Sequence, residues 1–400
     1  MPELNEWSLT CGVELNSPSK SMKRILFATS VALCSSVAAI AGAVAPKSPA
    51  AEPPLEPPSL CDTVFNATTF KFDNGIIDEF KVIGRYQGQY HWTDAEQGNE
   101  DSYETRRWRL GVEAKFFDKK VFFRHNWNID GLDDDGDDVE FESIYELLVA
   151  VNITDDLKLT LGKQKPLITR EYRLSSKKII TFERSALVNQ LFPDAAWGVS
   201  LDGKSEKLSY MIGAYAATIE GDYNEWFDSS GGMFFLASLG YDLTGICPIG
   251  KDSADLRLDY SYTDESGVPA PGAQNVVSLN YDGTNGRFRL IWDILGGFGN
   301  GTDVFGVVLL PSYHLTDKFE VVGRYQYGDG DVRLQSRYEG RVVNSRNVTD
   351  YHAFYAGANY YLCDHNLKLM AGVEYATASS RGGSQGYDGF IFLTGVRMYF

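Results

Sequence analysis

The chain has 400 residues, and its 37 Lys and Arg against 54 Asp and Glu give a formal charge of −17, which argues against a nucleic-acid partner. No apolar run after residue 45 reaches the 18 residues of a membrane-spanning helix. The 39 Gly, 23 Tyr, 23 Phe and 7 Trp leave open a closed membrane β-barrel, whose alternating strands produce no hydropathy peak.

Residues 1–21 are polar and read as upstream sequence, with Met22 as the true start. Met22-Lys23-Arg24, an Ala- and Ser-rich apolar run, and small residues at Ala41-Gly42-Ala43 have the parts of an export signal. Residues 22–43 are therefore expected to be a signal peptide cleaved near Ala43. Residues 44–61 hold six Pro without periodicity and read as a linker, with the barrel domain over 62–400. Beyond the signal, Cys61, Cys247 and Cys363 remain, an odd number without metal-ligand spacing. Cys247 and Cys363 fall in turns about six strands apart, so direct pairing would require the long 244–254 turn to reach across. Cys61 is the better partner for either, and free thiols are the default.

From residue 76 onward the pattern has period two. Trp108, Leu110, Val112 and Ala114 alternate with Arg107, Arg109, Glu113 and Lys115, and Phe288, Leu290, Trp292 and Ile294 with Arg287, Arg289 and Asp293. Sixteen such segments centre near residues 83, 110, 125, 147, 160, 199, 212, 238, 259, 278, 290, 308, 322, 356, 371 and 394. Short connections, such as 118–119, 154–156 and 363–366, alternate with long ones at 92–102, 130–139, 166–196, 219–232, 328–349 and 378–387. An all-β transmembrane antiparallel barrel of sixteen strands explains this sorting, with both termini on the short-turn side. Pro311 within a strand, and a long connection at 244–254 where a short turn belongs, fit less well. The amphipathic last strand ends in Phe400, a terminus of the kind that outer-membrane insertion machinery recognises.

The row assigned to the lumen is cationic in an acidic chain. It holds Lys81, Arg85, Arg107, Arg109, Lys115, Lys120, Arg124, Lys158, Arg257, Arg287, Arg289, Arg324, Lys368 and Arg397. Against them stand Glu79, Glu113, Glu146, Asp255, Asp259, Asp293, Glu320 and Glu374. The long loop adds Lys163, Lys165, Arg170, Arg173, Lys177, Lys178 and Arg184 against Glu171 and Glu183. Folded inward, such a loop would concentrate anions and repel cations inside low-dielectric walls. Arg suits phosphate through its planar fork, and Lys acts as a mobile point charge. The compensating acid is expected outside, as in the run from Asp130 to Asp138. That run has poor spacing for a calcium loop and reads as a solvated tip.

Tyr103-Glu104-Thr105-Arg106-Arg107-Trp108-Arg109-Leu110-Gly111 resembles the second-strand Arg-Arg motif of the phosphate-selective porins O and P. Leu161-Gly162-Lys163-Gln164-Lys165-Pro166-Leu167, with Ser175-Ser176-Lys177 and Thr181-Phe182-Glu183-Arg184-Ser185, resembles that family's constriction-loop block. The resemblance covers about residues 70–400. It implies a homotrimeric sixteen-stranded outer-membrane porin whose third loop folds into the lumen. Arg106 and Arg107 then look like wall arginines, Arg184 like the loop arginine facing them, and Lys177 like the central phosphate-site lysine. Strict alternation lets only one of Arg106 and Arg107 face inward, so either the strand carries a bulge there or one of them lies elsewhere.

The expected anion pathway is Arg85, Arg106, Arg107, Arg109, Arg124, Lys163, Lys165, Arg170, Arg173, Lys177, Lys178 and Arg184. The expected function is passive transport of phosphate, polyphosphate or other small anions across the outer membrane, without a cofactor. The surroundings would be lipid and lipopolysaccharide. A general diffusion porin with little discrimination is the alternative. An enzyme is disfavoured, because none of the five His sits in an HExxH or nucleophile-elbow arrangement.

Overall fold

A computed structural model describes residues 59–130, 140–191, 195–216, 232–264, 273–299, 303–330, 335–343, 348–380 and 386–400. The expected upstream stretch, signal peptide, most of the linker and nearly all of the acidic run lie outside these residues.

The described chain opens with helix α1 (Leu60–Asn66), where Ser59 and Asp62 cap each other reciprocally. The last residues assigned to the linker, 59–61, are thus part of a capped helix. Strand β1 (Thr69–Lys71) then pairs with the first long strand. Sixteen strands follow: β2 (Ile77–Ala95), β3 (Gly98–Phe116), β4 (Val121–Asp130), β5 (Glu140–Thr154), β6 (Leu157–Gln164), β7 (Ala196–Ser205), β8 (Leu208–Ala216) and β9 (Met233–Asp242). The second half is β10 (Ser253–Thr263), β11 (Asn275–Asn285), β12 (Phe288–Phe298), β13 (Val304–His314), β14 (Phe319–Gly330), β15 (Val348–Cys363), β16 (Leu367–Ser380) and β17 (Tyr387–Tyr399). Each pairs antiparallel with the next, and β17 pairs with β2, so the sheet closes. Every strand centre expected from the alternation falls inside one of these sixteen.

The burial pattern is inside out relative to a water-soluble protein. Trp92, Leu110, Leu161, Ile212, Leu258, Phe354, Leu369 and Phe392 are exposed, whereas Gln87, Gln89, Asn280, Asp293, Lys368 and Arg397 are buried. A strand in a membrane wall places its apolar row toward lipid and its polar row inward, and closure leaves no edge unpaired. At the seam, Phe400 and Gly84 exchange backbone hydrogen bonds of 3.1 Å. A Cβ at position 84 would overlap the Phe400 ring, so a larger residue there would have to displace the terminal aromatic.

Three details differ from the pattern's first reading. The expected long connection at 92–102 is mostly strand: β2 and β3 run 19 residues each to a tight turn at 96–97. Pro311 is accommodated because it pairs with Leu290 on one side. On the other, the β14 ladder skips Leu310 and Pro311 and resumes at Ser312↔Val322 in unchanged register. The 244–254 connection folds into a short 3-10 turn at Pro248–Gly250, closed by Gly245 N–H donating to the Gly250 carbonyl at 2.9 Å.

Cys61 and Cys363 form a disulfide, which ties α1 to the β15–β16 turn. Free thiols, the default expectation, are therefore not what the structure holds at these two positions. The β2–β17 ladder already joins the chain ends. Cys61→Ser is accordingly expected to leave the barrel folded, with the unheated gel mobility of the parent, while freeing residues 59–66 to proteolysis. A fully unfolded variant would show that the tether is required for closure.

Candidate anion pathway

The segment 165–195 between β6 and β7 begins with a capped turn. Thr169, at φ 57°, accepts the Tyr172 N–H through its side chain and starts α2 (Arg170–Arg173). The freed backbone donors are taken by wall carboxylates: Thr169 N–H donates to Asp259 at 2.9 Å and Arg170 N–H to Asp293 at 3.0 Å. Arg170 also pairs with Asp255 and Asp282, and Arg173 with Asp259 at 2.8 Å. Beyond α2, Arg184 turns back and donates to the carbonyls of Glu171 (3.0 Å) and Leu174 (3.1 Å). It then leads into α3 (Ala186–Leu191), whose first N–H donates to Gln326 at 2.8 Å.

Buried cations on later strands grip the same segment. Arg324 donates to Glu374 at 2.7 Å and to the Glu183 carbonyl, and lies 3.7 Å from the Glu171 carboxylate. Lys368 donates to the Ile179 carbonyl, Asn359 to that of Ile180 at 3.0 Å, and Arg397 to that of Phe182 at 3.4 Å. Apolar contacts add to this. Leu187, Val188 and Leu191 cluster with Tyr215, Phe234, Val276, Val304, Val308 and Tyr351, while Ile180 and Phe182 cluster with Ile291, Leu310, Tyr355 and Ile391.

The β2–β3 ladder slips between Gln87 and Gly88, so that Arg107 faces Gln87 and Thr105 faces Gly88. Arg106 is the extra residue of a bulge, which lets both arginines reach one carboxylate: Arg106 and Arg107 each pair with Glu183. Burial alone would raise the Glu183 carboxyl, but the two guanidiniums outweigh it and hold it well below the usual carboxylate range.

On the β2–β8 side a cavity of about 440 Å³ remains between the strands and residues 165–177. Its charged lining is Arg85, Arg124, Lys158, Lys165, Arg173 and Lys177 against Glu113, Glu146 and Asp202. Arg85 donates to Ser176, and Arg124 pairs with Glu113 (2.9 Å) and Glu146 (3.6 Å). Lys165 donates to the Leu174 carbonyl at 3.3 Å and lies over the Tyr172 ring. The Lys177 ammonium sits 5.0 Å above the Tyr399 ring, with no described carboxylate in ion-pair range. Burial and the neighbouring Arg85 push it down to about 8.

The twelve expected residues thus divide. Arg85, Arg124, Lys165, Arg173 and Lys177 line the cavity. Arg106, Arg107, Arg170 and Arg184 hold the segment to the wall or to itself. Arg109 stacks over Tyr145 and donates to Asn128 at 2.7 Å, Lys163 is buried in β6, and Lys178 is exposed. The carboxylates do not all stay outside, contrary to the reading of the acidic loops: Glu104, Glu171, Glu183 and Asp282 are buried among these cations.

A second segment escaped the sequence reading. Residues 335–343, with α4 (Glu339–Val342), lie against the long β2–β3 hairpin. Arg337 and Arg341 pair with Glu104, and Arg341 also with Glu100 at 3.2 Å. Glu339 is fully buried and accepts from Tyr351 at 3.0 Å; burial and Glu374 push its carboxyl up to about 8. Nothing in the periodicity marks a loop that docks through four charged groups.

The family model described as phosphate-selective porin O and P matches residues 80–232. Among curated proteins none matches the chain. The fold is similar to outer-membrane-expressed OmpT of Vibrio cholerae, at TM-score 0.55 and 12% identity over 83% of this chain and 99% of that one. It is also similar to an anion-selective porin from Comamonas acidovorans, at TM-score 0.55 and 15% identity over 80% and 99%. The high-pH structure of Pseudomonas putida OprB gives TM-score 0.54 and 12% identity over 80% and 94%. At these identities the likenesses establish the fold, and the family match rests on residues 80–232. Residues 80–232 thus match the phosphate-selective porin O and P model, and the closed sixteen-stranded barrel they help to build has the fold of outer-membrane porins.

Proposed function

We propose that the protein is a passive anion-selective porin, that segment 165–195 narrows its lumen, and that phosphate or polyphosphate is the favoured substrate. The observation that carries the reading is the cavity beside that segment, where six cationic side chains face three carboxylates. Fixed positive charge between low-dielectric walls raises the local anion concentration, and several weak sites in series allow release. Arg85, Arg124, Lys165, Arg173 and Lys177 carry the pathway. Arg106, Arg107, Arg109, Lys163, Arg170, Lys178 and Arg184 set its shape and the field around it. The structure of the Comamonas relative is titled an anion-selective porin, which agrees with this reading. Export through a cleaved signal and assembly as a homotrimer belong to the same proposal and rest on residues 22–43 and on the family resemblance.

The test is a planar-bilayer measurement in a potassium chloride gradient. The zero-current potential is expected to show anion preference, reduced in Lys165→Gln/Lys177→Gln. Added phosphate is expected to inhibit chloride current at millimolar concentration or below. A cation-selective or unselective parent channel would sink the proposal. Anion preference without phosphate inhibition would favour the general diffusion porin. The local pairing of Arg106, Arg107, Arg170 and Arg173 with carboxylates speaks for that second reading.

A further inference from the structure

The cavity wall is not polar throughout. On β4 and β5, Phe122 lies directly opposite Ala150, and Arg124 directly opposite Leu148. All four line the cavity, together with Met211 of β8. These positions belong to the lumen row, which in a water-filled barrel is ordinarily polar. Leu148 and Ala150 are buried, yet they belong to neither apolar cluster that seats segment 165–195. Packing of the segment therefore does not account for them. The Arg124 guanidinium sits 5.2 Å from the Phe122 ring centroid, so cation and apolar surface adjoin within one site. Lys177 enters the cavity from the segment.

A bare inorganic anion uses only the cationic half of such a lining. We infer that the site takes organic anions, with a phosphate or carboxylate head on an apolar body about the size of one ring. The head meets Lys177, with Arg124, itself held by Glu113 and Glu146, beside it, while the body lies on Phe122, Leu148 and Ala150. Water leaves both apolar surfaces as the body settles, and the short contact keeps the anion exchangeable. This inference rests on the anion-pathway reading and moves its best-held class from inorganic phosphate to organic anions.

Three probes sharing one head group test it: phenyl phosphate, glycerol 3-phosphate and inorganic phosphate, each added to the reconstituted channel while chloride current is recorded. Phenyl phosphate is expected to inhibit at concentrations about ten-fold lower than glycerol 3-phosphate. Inorganic phosphate should resemble the glycerol ester. In Phe122→Ser and Leu148→Ser the advantage of phenyl phosphate should shrink at least three-fold, with chloride-over-potassium preference unchanged. Equal inhibition by the two esters in the parent channel would overturn the inference, and that comparison needs no variant to fold. An advantage that survives both substitutions would overturn it as well. If the parent channel instead shows no anion preference, the failure lies with the proposed function.

Discussion

Arg324→Gln is expected to release segment 165–195 and at least double the single-channel conductance, with loss of ionic preference. Arg324 is buried on β14 and is shared by two carboxylates and a carbonyl, those of Glu374, Glu171 and Glu183. Removing the guanidinium leaves two buried carboxylates near one another without their common counter-ion. Breaking a buried pair from one side costs about 3–5 kcal/mol, because the remaining charge is uncompensated. The wall can shed little of this strain, since its strands are held by continuous ladders. The segment can, by leaving and letting water reach Glu171 and Glu374. Conductance traces and limited proteolysis between residues 170 and 185 would report the release. Unchanged conductance with a protected segment would show that the apolar clusters suffice to hold it. Arg324→Lys should restore part of the parent behaviour, since it returns the charge without the fork.

The second large effect concerns Lys177. Its ammonium is lowered to about 8 by burial and by Arg85, with Arg124 and Lys81 adding to the effect and Glu113 opposing it. The group is charged below that value and neutral above it. Anion preference should therefore be full near pH 6 and fall by roughly two- to three-fold as pH rises past 8. Glu339 titrates in the same range and gains negative charge in the same direction, so the parent curve alone does not assign the step. Lys177→Gln does. It should start at the reduced preference and lose most of the pH dependence, whereas Lys177→Glu should reduce preference further at every pH. A Lys177→Gln channel that keeps the parent profile would place the controlling charge elsewhere.

These two residues show how differently a site can be written into a chain. Arg324 was visible as a lumen position, because Phe319, Val321, Gly323 and Tyr325 alternate with it. Its role was not visible, since Glu171 and Glu374 lie far from it in sequence and on different elements. Lys177 was singled out through the Ser175-Ser176-Lys177 resemblance, but its place above Tyr399 depends on the path of residues 165–195. The paired reach of Arg106 and Arg107 to Glu183 depends on a bulge, and strict alternation only posed that question. The Arg337 and Arg341 clamp on Glu100 and Glu104 left no periodic trace at all, because it is made by a loop on a hairpin that overruns the membrane-spanning length.

The strands, their number, their inward and outward rows and the aromatic end of the last strand were determined by the linear order of residues. Each depends on local alternation, and a two-residue period survives any tertiary arrangement that keeps one face in lipid. Which of the inward charges cancel and which remain to face the cavity was decided only in three dimensions. Burial makes an unanswered charge costly, so the segment settles where carboxylates on β10–β12 and cations on β14–β17 answer it. The cationic, partly apolar cavity is what that settlement leaves open beside β2–β8.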